Sequence, residues 1–324
     1  MGSLGHLRFE YIRGNWVMNI LVAGGTGFIG EYLVSQLKNR GHQVVLLSRR
    51  DKISTDSSVR CQRWDGKSLD AWADYIETSD AVINLAGTPI ADKRWSSKRK
   101  ADILNSRVDS TKIIIEAIKK ATKKPKVLIN ASAVGYYGNV PDGDVVETSP
   151  RGNGFLSDTC ALWEKEATVA EQMGVRTVLL RMGIVLAHGG GALSKMLLAF
   201  QLFAGGSLGS GRQWFPWIHR DDVVGAILFS LENVKIKGPV NVTAPNPVTM
   251  HDFCSELGRR LHRPSWLPVP GVALHLVLGE MSSMLLEGQR AIPKKLLDQK
   301  YCFEFVNLNN ALIDILRNQK SNGI

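Results

Sequence analysis

Between Met18 and Arg50 an apolar run, four glycines and a helical repeat follow one another in an order that few folds accommodate. Ile20-Leu21-Val22-Ala23 has the length and apolarity of a strand buried on both faces. Glycines come next at 24, 25, 27 and 30, reading as G-x-x-G-x-x-G from Gly24 and as G-x-G-x-x-G from Gly25. Ile29, Leu33 and Leu37 recur at i, i+4 and i+8, and Asn39-Arg40-Gly41 supplies a helix stop. Val44-Val45-Leu46-Leu47 is a second buried strand. The glycines therefore stand between a strand and the helix it opens. A turn of that kind lets the backbone approach a pyrophosphate and points the free N–H groups of the helix start at the anion. Strand, glycines, helix and strand together predict a dinucleotide loop formed by Gly24, Thr26, Gly27, Phe28, Ile29 and Gly30.

The end of the second strand selects the dinucleotide. An acid there would accept from the ribose 2′-hydroxyl of NAD. This chain instead has Ser48-Arg49-Arg50, 18 to 20 residues after Gly30. A hydroxyl and two guanidiniums suit a 2′-phosphate, so the expected cofactor is NADP (as NADPH when reduced), with NAD the less favoured alternative.

Composition excludes several other functions. The 324 residues are 44% hydrophobic, enough for a large core without disulfide staples. Cys61, Cys160, Cys254 and Cys302 are far apart and form no C-x-x-C pair, which argues against a zinc site and suits the cytoplasm or another reducing compartment. The net charge of +10 favours anionic ligands. No nucleic-acid motif accompanies it, so no specific nucleic-acid partner is expected. No run is long and apolar enough to span a membrane, and no membrane partner is expected either. Residues 1–17 precede the first strand, lack the apolar core of a secretory signal and read as a leader or extension.

Further along, strand and helix patterns alternate. Strands are expected at 59–64, 81–85, 127–130 and 177–185, and helices at 69–76, 95–121 and 155–173. That alternation predicts a Rossmann-like α/β fold, a doubly wound parallel sheet with helices on both faces, over residues 18–185. After Val185 the composition shifts to His188-Gly189-Gly190-Gly191, an apolar helix at 196–203, a strand at 240–242 and a helix from Met250. Residues 186–324 are read mainly as a smaller C-terminal lobe for the substrate, with some returns to the core. Tyr301, Phe303 and Phe305 alternate, which predicts a late strand. Lys98-Arg99-Lys100 reads as a solvated helix face. Trp214, Phe215 and Trp217 fit either core packing or a substrate wall, and His219 fits a hydrogen-bonded structural role.

With these pieces placed, the chain resembles the extended short-chain dehydrogenase/reductase superfamily from about Met18 to its C-terminus. The resemblance rests on GGTGFIG at 24–30, NLAG at 84–87, SAVGYYG at 132–138, LRMGIV at 180–185, GSGRQWFPWIHRDD at 209–222 and PVNVTAP at 239–245. Arg94-Trp95, NSRVDST at 105–111, the glycine triplet and the final QRAIPKKLLDQKYCFEF look like one branch. These are the epimerase family proteins, with a C-terminal segment of unknown role, some of them labelled cell-division inhibitors. The resemblance implies that Asp65 accepts from the adenine amino group and that Leu85, Ala86 and Gly87 line the adenosine. It also implies that Arg107 lies near the pyrophosphate and that Arg181 to Val185 close the nicotinamide end.

The chain also departs from the superfamily pattern. Active members carry Tyr-x-x-x-Lys, the tyrosine as general acid/base and the lysine lowering its pKa. The matching place here reads Cys160-Ala161-Leu162-Trp163-Glu164. Ser132 persists as a hydroxyl for the substrate oxygen, and Tyr136 or Tyr137 is the substitute proton source. Phe215 stands where sugar-nucleotide epimerases place an arginine, which argues against a sugar-nucleotide substrate. The expected function is that of an epimerase-like oxidoreductase using NADP on an unknown small carbonyl or hydroxyl compound. The alternative is an NADP-holding regulator or scaffold without turnover. A homodimer is the candidate assembly.

Overall fold

A computed structural model of the protein describes residues 17–49 and 57–321. Residues 1–16 of the expected leader, and Arg50, lie outside the described residues. The apolar runs form the strands they predict: β1 (Asn19–Ala23), β2 (Gln43–Ser48), β3 (Val59–Arg63), β4 (Ala81–Asn84) and β5 (Val127–Ala133). Helix α1 (Gly30–Asn39) follows β1, and α2 (Ser97–Lys120) links β4 to β5. Then come β6 (Val140–Val145), α3 (Phe155–Thr168), β7 (Arg176–Met182) and β8 (Ile184–Leu186). The remainder runs α4 (Gly191–Gln201), β9 (Trp214–Phe215), β10 (Trp217–His219), α5 (Arg220–Glu232), β11 (Gly238–Val242), β12 (Val248–Thr249) and α6 (Met250–Leu261). It ends with α7 (Gly271–Leu278), α8 (Ser283–Leu286), β13 (Gln289–Ala291), α9 (Lys294–Asp298) and α10 (Leu308–Ser321).

Seven strands form one sheet in the order β11-β7-β5-β4-β1-β2-β3, and every neighbouring pair is parallel. Strand order runs outward from β1 to β3, then reverses through β4, so the topological switch point lies between β1 and β4. Ligands of such sheets bind in the crevice beyond the strand ends at that point. Both faces are covered, which is why the strands read as apolar runs rather than alternations. Ile20 and Val22 pack with Leu33 and Leu37 of α1 and with Val223 and Ile227 of α5. Leu21 and Ala23 pack on the other face with Ile114 and Ile118 of α2 and with Trp72. Full burial of each such side chain contributes about 1.5–3 kcal/mol.

After β8 a second apolar cluster unites α4, α6 and α10 through Leu193, Phe200, Phe253, Leu257 and Leu312. Helix α5 and strand β11 rejoin the main core, so the chain crosses back before finishing the lobe. The expected strand at 177–185 is broken at Gly183. There the N–H partner changes from Val242 O (2.9 Å from Gly183 N) to Pro216 O (2.7 Å from Ile184 N), and a side chain at 183 would overlap Pro216 O. The expected late strand at 301–305 is corrected. Glu304 N and Phe305 N donate to the carboxylate of Asp222 at 2.7 and 2.9 Å, while Tyr301 OH donates to Asp222 O at 3.1 Å. A buried side chain has taken the backbone donors that a strand neighbour would need, and Tyr301 and Phe305 alternate only because both are buried.

Candidate functional site

The glycine loop leaves the carboxyl end of β1 at the switch point. Its glycines have different reasons to be there. At Gly24 (φ +76°) a Cβ would stand 2.6 Å from Leu85 C and O, so the loop lies flush on the segment that follows β4. A Cβ at Gly25 would overlap Leu46, and one at Gly30 would overlap Gly24 O, so these two close the loop onto β2 and onto itself. Gly27 has no such packing reason: its Cβ would meet only Gly24 O, at 3.3 Å. Thr26 and Gly27 are exposed. Glu31 N donates to Gly27 O at 2.9 Å, and with no side-chain cap at Ile29 the other N–H groups of the first turn of α1 are left for an anion. Phe28 turns the other way and packs beneath Gly190 and Gly191, where a side chain at 190 would stand 2.6 Å from the ring. The glycine triplet before α4 is thus the lobe's contact with the loop. These residues fit a dinucleotide phosphate group.

The other predicted contacts surround this loop unevenly. Ser48 is buried at the end of β2 and Arg49 is exposed beside it. Asp65 accepts from Lys67 N (2.7 Å), Ser68 N (2.8 Å) and Ser68 Oγ (2.9 Å), and these bonds lower its pKa. Its carboxylate is therefore a turn-former first. Leu85 N donates to Ala23 O at 2.9 Å and Ala86 N to Asn84 Oδ1 at 3.1 Å, which fixes the 85–87 backbone over the sheet edge. Arg107 Nη1 donates to Thr88 O (3.1 Å) and Ile103 O (3.0 Å), and its guanidinium lies 5.2 Å over the Trp163 ring. Burial, more than any neighbouring charge, lowers its pKa.

The expected catalytic residues meet in a closed network. Ser132, Arg181 and Asn241 are register partners on β5, β7 and β11, so they form one row across three parallel strands. Ser132 Oγ donates to Glu164 Oε1 at 2.6 Å. Arg181 grips the same carboxylate through Nε and Nη2, both at 2.8 Å. Arg181 Nη1 donates to Tyr137 OH at 3.0 Å, and that hydroxyl donates to Asn241 Oδ1 at 2.6 Å. Tyr136 faces the guanidinium with its ring, the Arg181 Cζ standing 3.5 Å from the centroid. Ser132 and Tyr137 are each 1% exposed and Arg181 2%. Burial pushes the Tyr137 hydroxyl up to about 12 against the opposing pull of Arg181. Burial alone would lower the Arg181 pKa, but the forked bonds to Glu164 more than offset it and the group ends raised. Burial and then Glu164 push the Cys160 thiol up to about 11.

Tyr137 has its hydroxyl bonded on both sides, accepting from Arg181 Nη1 and donating to Asn241 Oδ1. Arg181, expected at the nicotinamide end, has its guanidinium in a buried ion pair with Glu164, and Val185 is partly buried against the main core. Sequence reasoning missed Asn241 and the pairing of Glu164 with Arg181. The only signal was a buried-type acid where the superfamily has lysine.

The NAD dependent epimerase/dehydratase family model matches residues 20–243. The chain belongs to that family. A domain of unknown function, DUF1731, matches residues 269–315, the part of the epimerase-family chain that carries α7 to most of α10. The epimerase family protein YfhF of Bacillus subtilis is 42% identical over 307 residues, covering 94% of this chain and all of that protein. The chloroplastic SDR39U1 homolog of Arabidopsis thaliana, also named an epimerase family protein, is 41% identical over 93% of this chain and 87% of its own. Among solved structures, human epimerase family protein SDR39U1 (isoform 2) with NADPH superposes with a TM-score of 0.82 at 36% identity, over 93% of this chain and 100% of that one. Among the described residues no helix is long and apolar enough to cross a membrane, and no group of three or more metal-ligating side chains is found.

Proposed function

We propose that the protein binds NADP in the crevice at the switch point and acts there as an epimerase-like oxidoreductase on a small carbonyl or hydroxyl compound. The observation that carries this reading is Gly27, the exposed glycine of the loop whose Cβ would meet only Gly24 O, at 3.3 Å, next to a helix start with no side-chain cap. Support comes from the similarity to the human relative crystallised with NADPH. Thr26, Gly27 and the first turn of α1 would hold the pyrophosphate, Ser48 and Arg49 with Arg50 the 2′-phosphate, and Leu85 to Gly87 the adenosine. Bound NADP supplies the capacity to accept or give a hydride. Ser132, with its proton directed to Glu164, has lone pairs left to accept from a substrate hydroxyl, and Tyr136 stacks on the Arg181 that grips the same carboxylate.

Titrating NADPH fluorescence on the full chain tests the binding: saturable binding, with NADH weaker, is expected, and its absence would overturn the reading. Loss of NADPH absorbance with a panel of small aldehydes and ketones tests turnover. One observation favours a second reading, an NADP-holding regulator. Cys160 and Glu164 replace the superfamily's acid/base pair, and Ser132, Tyr137 and Arg181 are bound into one network through Glu164. NADPH binding without turnover of any class in the panel favours that reading over the first.

A further inference from the structure

The first half of α2 brings two guanidiniums onto the segment that follows β4. Arg107 is seated on Gly87: a Cβ there would stand 3.1 Å from the Arg107 Cζ, so the glycine makes the seat. Nη1 of Arg107 is spent on the carbonyls of Thr88 and Ile103. Arg99, read from the sequence as part of a solvated face, turns inward. Its Nη2 donates to Pro89 O, and its Nε is buried without a partner. Its neighbours behave differently: Lys100 takes Glu280 at 2.8 Å, and Lys98 stays exposed. Among the described residues neither Arg99 nor Arg107 is paired with a carboxylate. Asp92 and Asp102 are exposed, and Asp109, two residues from Arg107 and half-buried, makes no ion pair with it. The two cations feel each other, since the charge of Arg99 adds to burial in lowering the Arg107 pKa.

Two partly buried like charges held by carbonyls and, at Arg107, by the Trp163 ring, with no carboxylate between them, are an arrangement that an anion completes. The position says which anion. The 85–89 segment abuts the glycine loop at Gly24, the loop assigned above to the cofactor phosphates. Arg107 lies on the far part of that segment. Its guanidinium lies 5.2 Å over the Trp163 ring of α3, and the next residue of that helix, Glu164, accepts from Ser132 Oγ at 2.6 Å. We propose that Arg99 and Arg107 form a second anion site, which holds a carboxylate or phosphate group of the substrate and directs its other end toward Ser132. The substrate of the proposed oxidoreductase is then an anionic small molecule. This assignment rests on the reading of the crevice given above. It takes Arg107 from the cofactor pyrophosphate to the substrate.

The test is calorimetric titration of the full chain, free and saturated with NADPH, using inorganic phosphate in one arm and malonate in the other. Binding of at least one probe to the NADPH-saturated protein is expected. Arg99→Gln should weaken it by roughly tenfold, the loss of one charge-assisted contact, with NADPH affinity unchanged. Arg107→Lys keeps the charge and the fold but loses the fork, and should weaken the probe as well. The stronger arm tells phosphate from carboxylate. If NADPH saturation abolishes the binding, the guanidiniums hold cofactor phosphate and the proposal falls. It also falls if neither probe binds, or if both variants bind the probes as the wild type does. NADPH affinity is read separately from heats without a probe, so failure of the cofactor reading is seen on its own.

Discussion

At the scale of single residues, the glycine loop divides into positions that shape it and one that faces outward. A side chain at Gly30 would overlap Gly24 O, whereas one at Gly27 needs only a small adjustment against the same atom. Gly27→Val is therefore expected to keep its melting temperature and lose NADPH binding, and Gly30→Val to lose stability first. If Gly27→Val binds NADPH normally, the loop is not in the site. The choice of cofactor is expected to rest on Arg49, exposed at the end of β2, with Arg50 next in sequence. Each charge-assisted bond to a 2′-phosphate contributes about 1.5–3 kcal/mol, or roughly ten- to a hundredfold in affinity. Replacing both with alanine should weaken NADPH by that factor and leave NADH nearly unchanged. Equal losses for the two nucleotides would rule this out.

At the scale of elements, α5 is set by its first residues. His219 closes β10 and accepts Asp221 N on Nδ1 at 3.2 Å, capping the helix, while its ring lies 3.9 Å from that of Phe305. Burial, with Arg220 adding to it, lowers its pKa from 6.5 to about 4. The unfolded chain therefore takes up a proton near the ordinary value, and the folded one does so only near the lower value. Between the two the unfolded state binds more protons, so stability falls as pH falls, by about 3 kcal/mol once both forms are protonated. His219→Asn retains an acceptor at the cap and removes the titration. Urea denaturation of this variant between pH 6.5 and pH 4, the limits set by the shift, should show a shallower decline than the wild type. Parallel declines would mean that carboxylates held low in the folded state, Asp65 and Glu256 among them, govern the acid limb.

For the whole molecule, the ion pair between Glu164 and Arg181 ties α3 to the middle of the sheet and, through Tyr137 and Asn241, to β11. Asn241 Nδ2 reaches Ile292 O at 2.9 Å, and Glu147 Oε1 accepts from both Asn241 N and Lys295 N, so the network also holds the C-terminal segment. Removing one member of a buried pair leaves the other charge without a partner and costs about 3–5 kcal/mol. Glu164→Ala should cost that much in urea denaturation. Glu164→Ala with Arg181→Met should cost less than the sum of the two single changes. Additive losses would show that the two side chains stabilise the protein independently.

The sequence by itself determined the βαβ unit, the parallel sheet and the phosphate loop, because these depend on neighbours in the chain. Apolar runs, a helical period and glycines within a few residues of one another leave little choice of local structure. It also determined that the usual tyrosine and lysine are missing, since that is a matter of residue identity. Only the tertiary structure decided which glycine is open, because Gly25 and Gly30 are constrained by Leu46 and by a carbonyl across the loop. It alone turned Arg99 inward from a run of three cations whose pattern says only that they are charged. It also converted Ser132, Tyr137, Glu164, Arg181 and Asn241 into one network. These residues are spread from position 132 to position 241, and what joins them is the register of β5, β7 and β11 and the seat of α3 above them. Register is fixed by burial on both faces of the sheet, a property of the assembled layers that no local window of sequence contains.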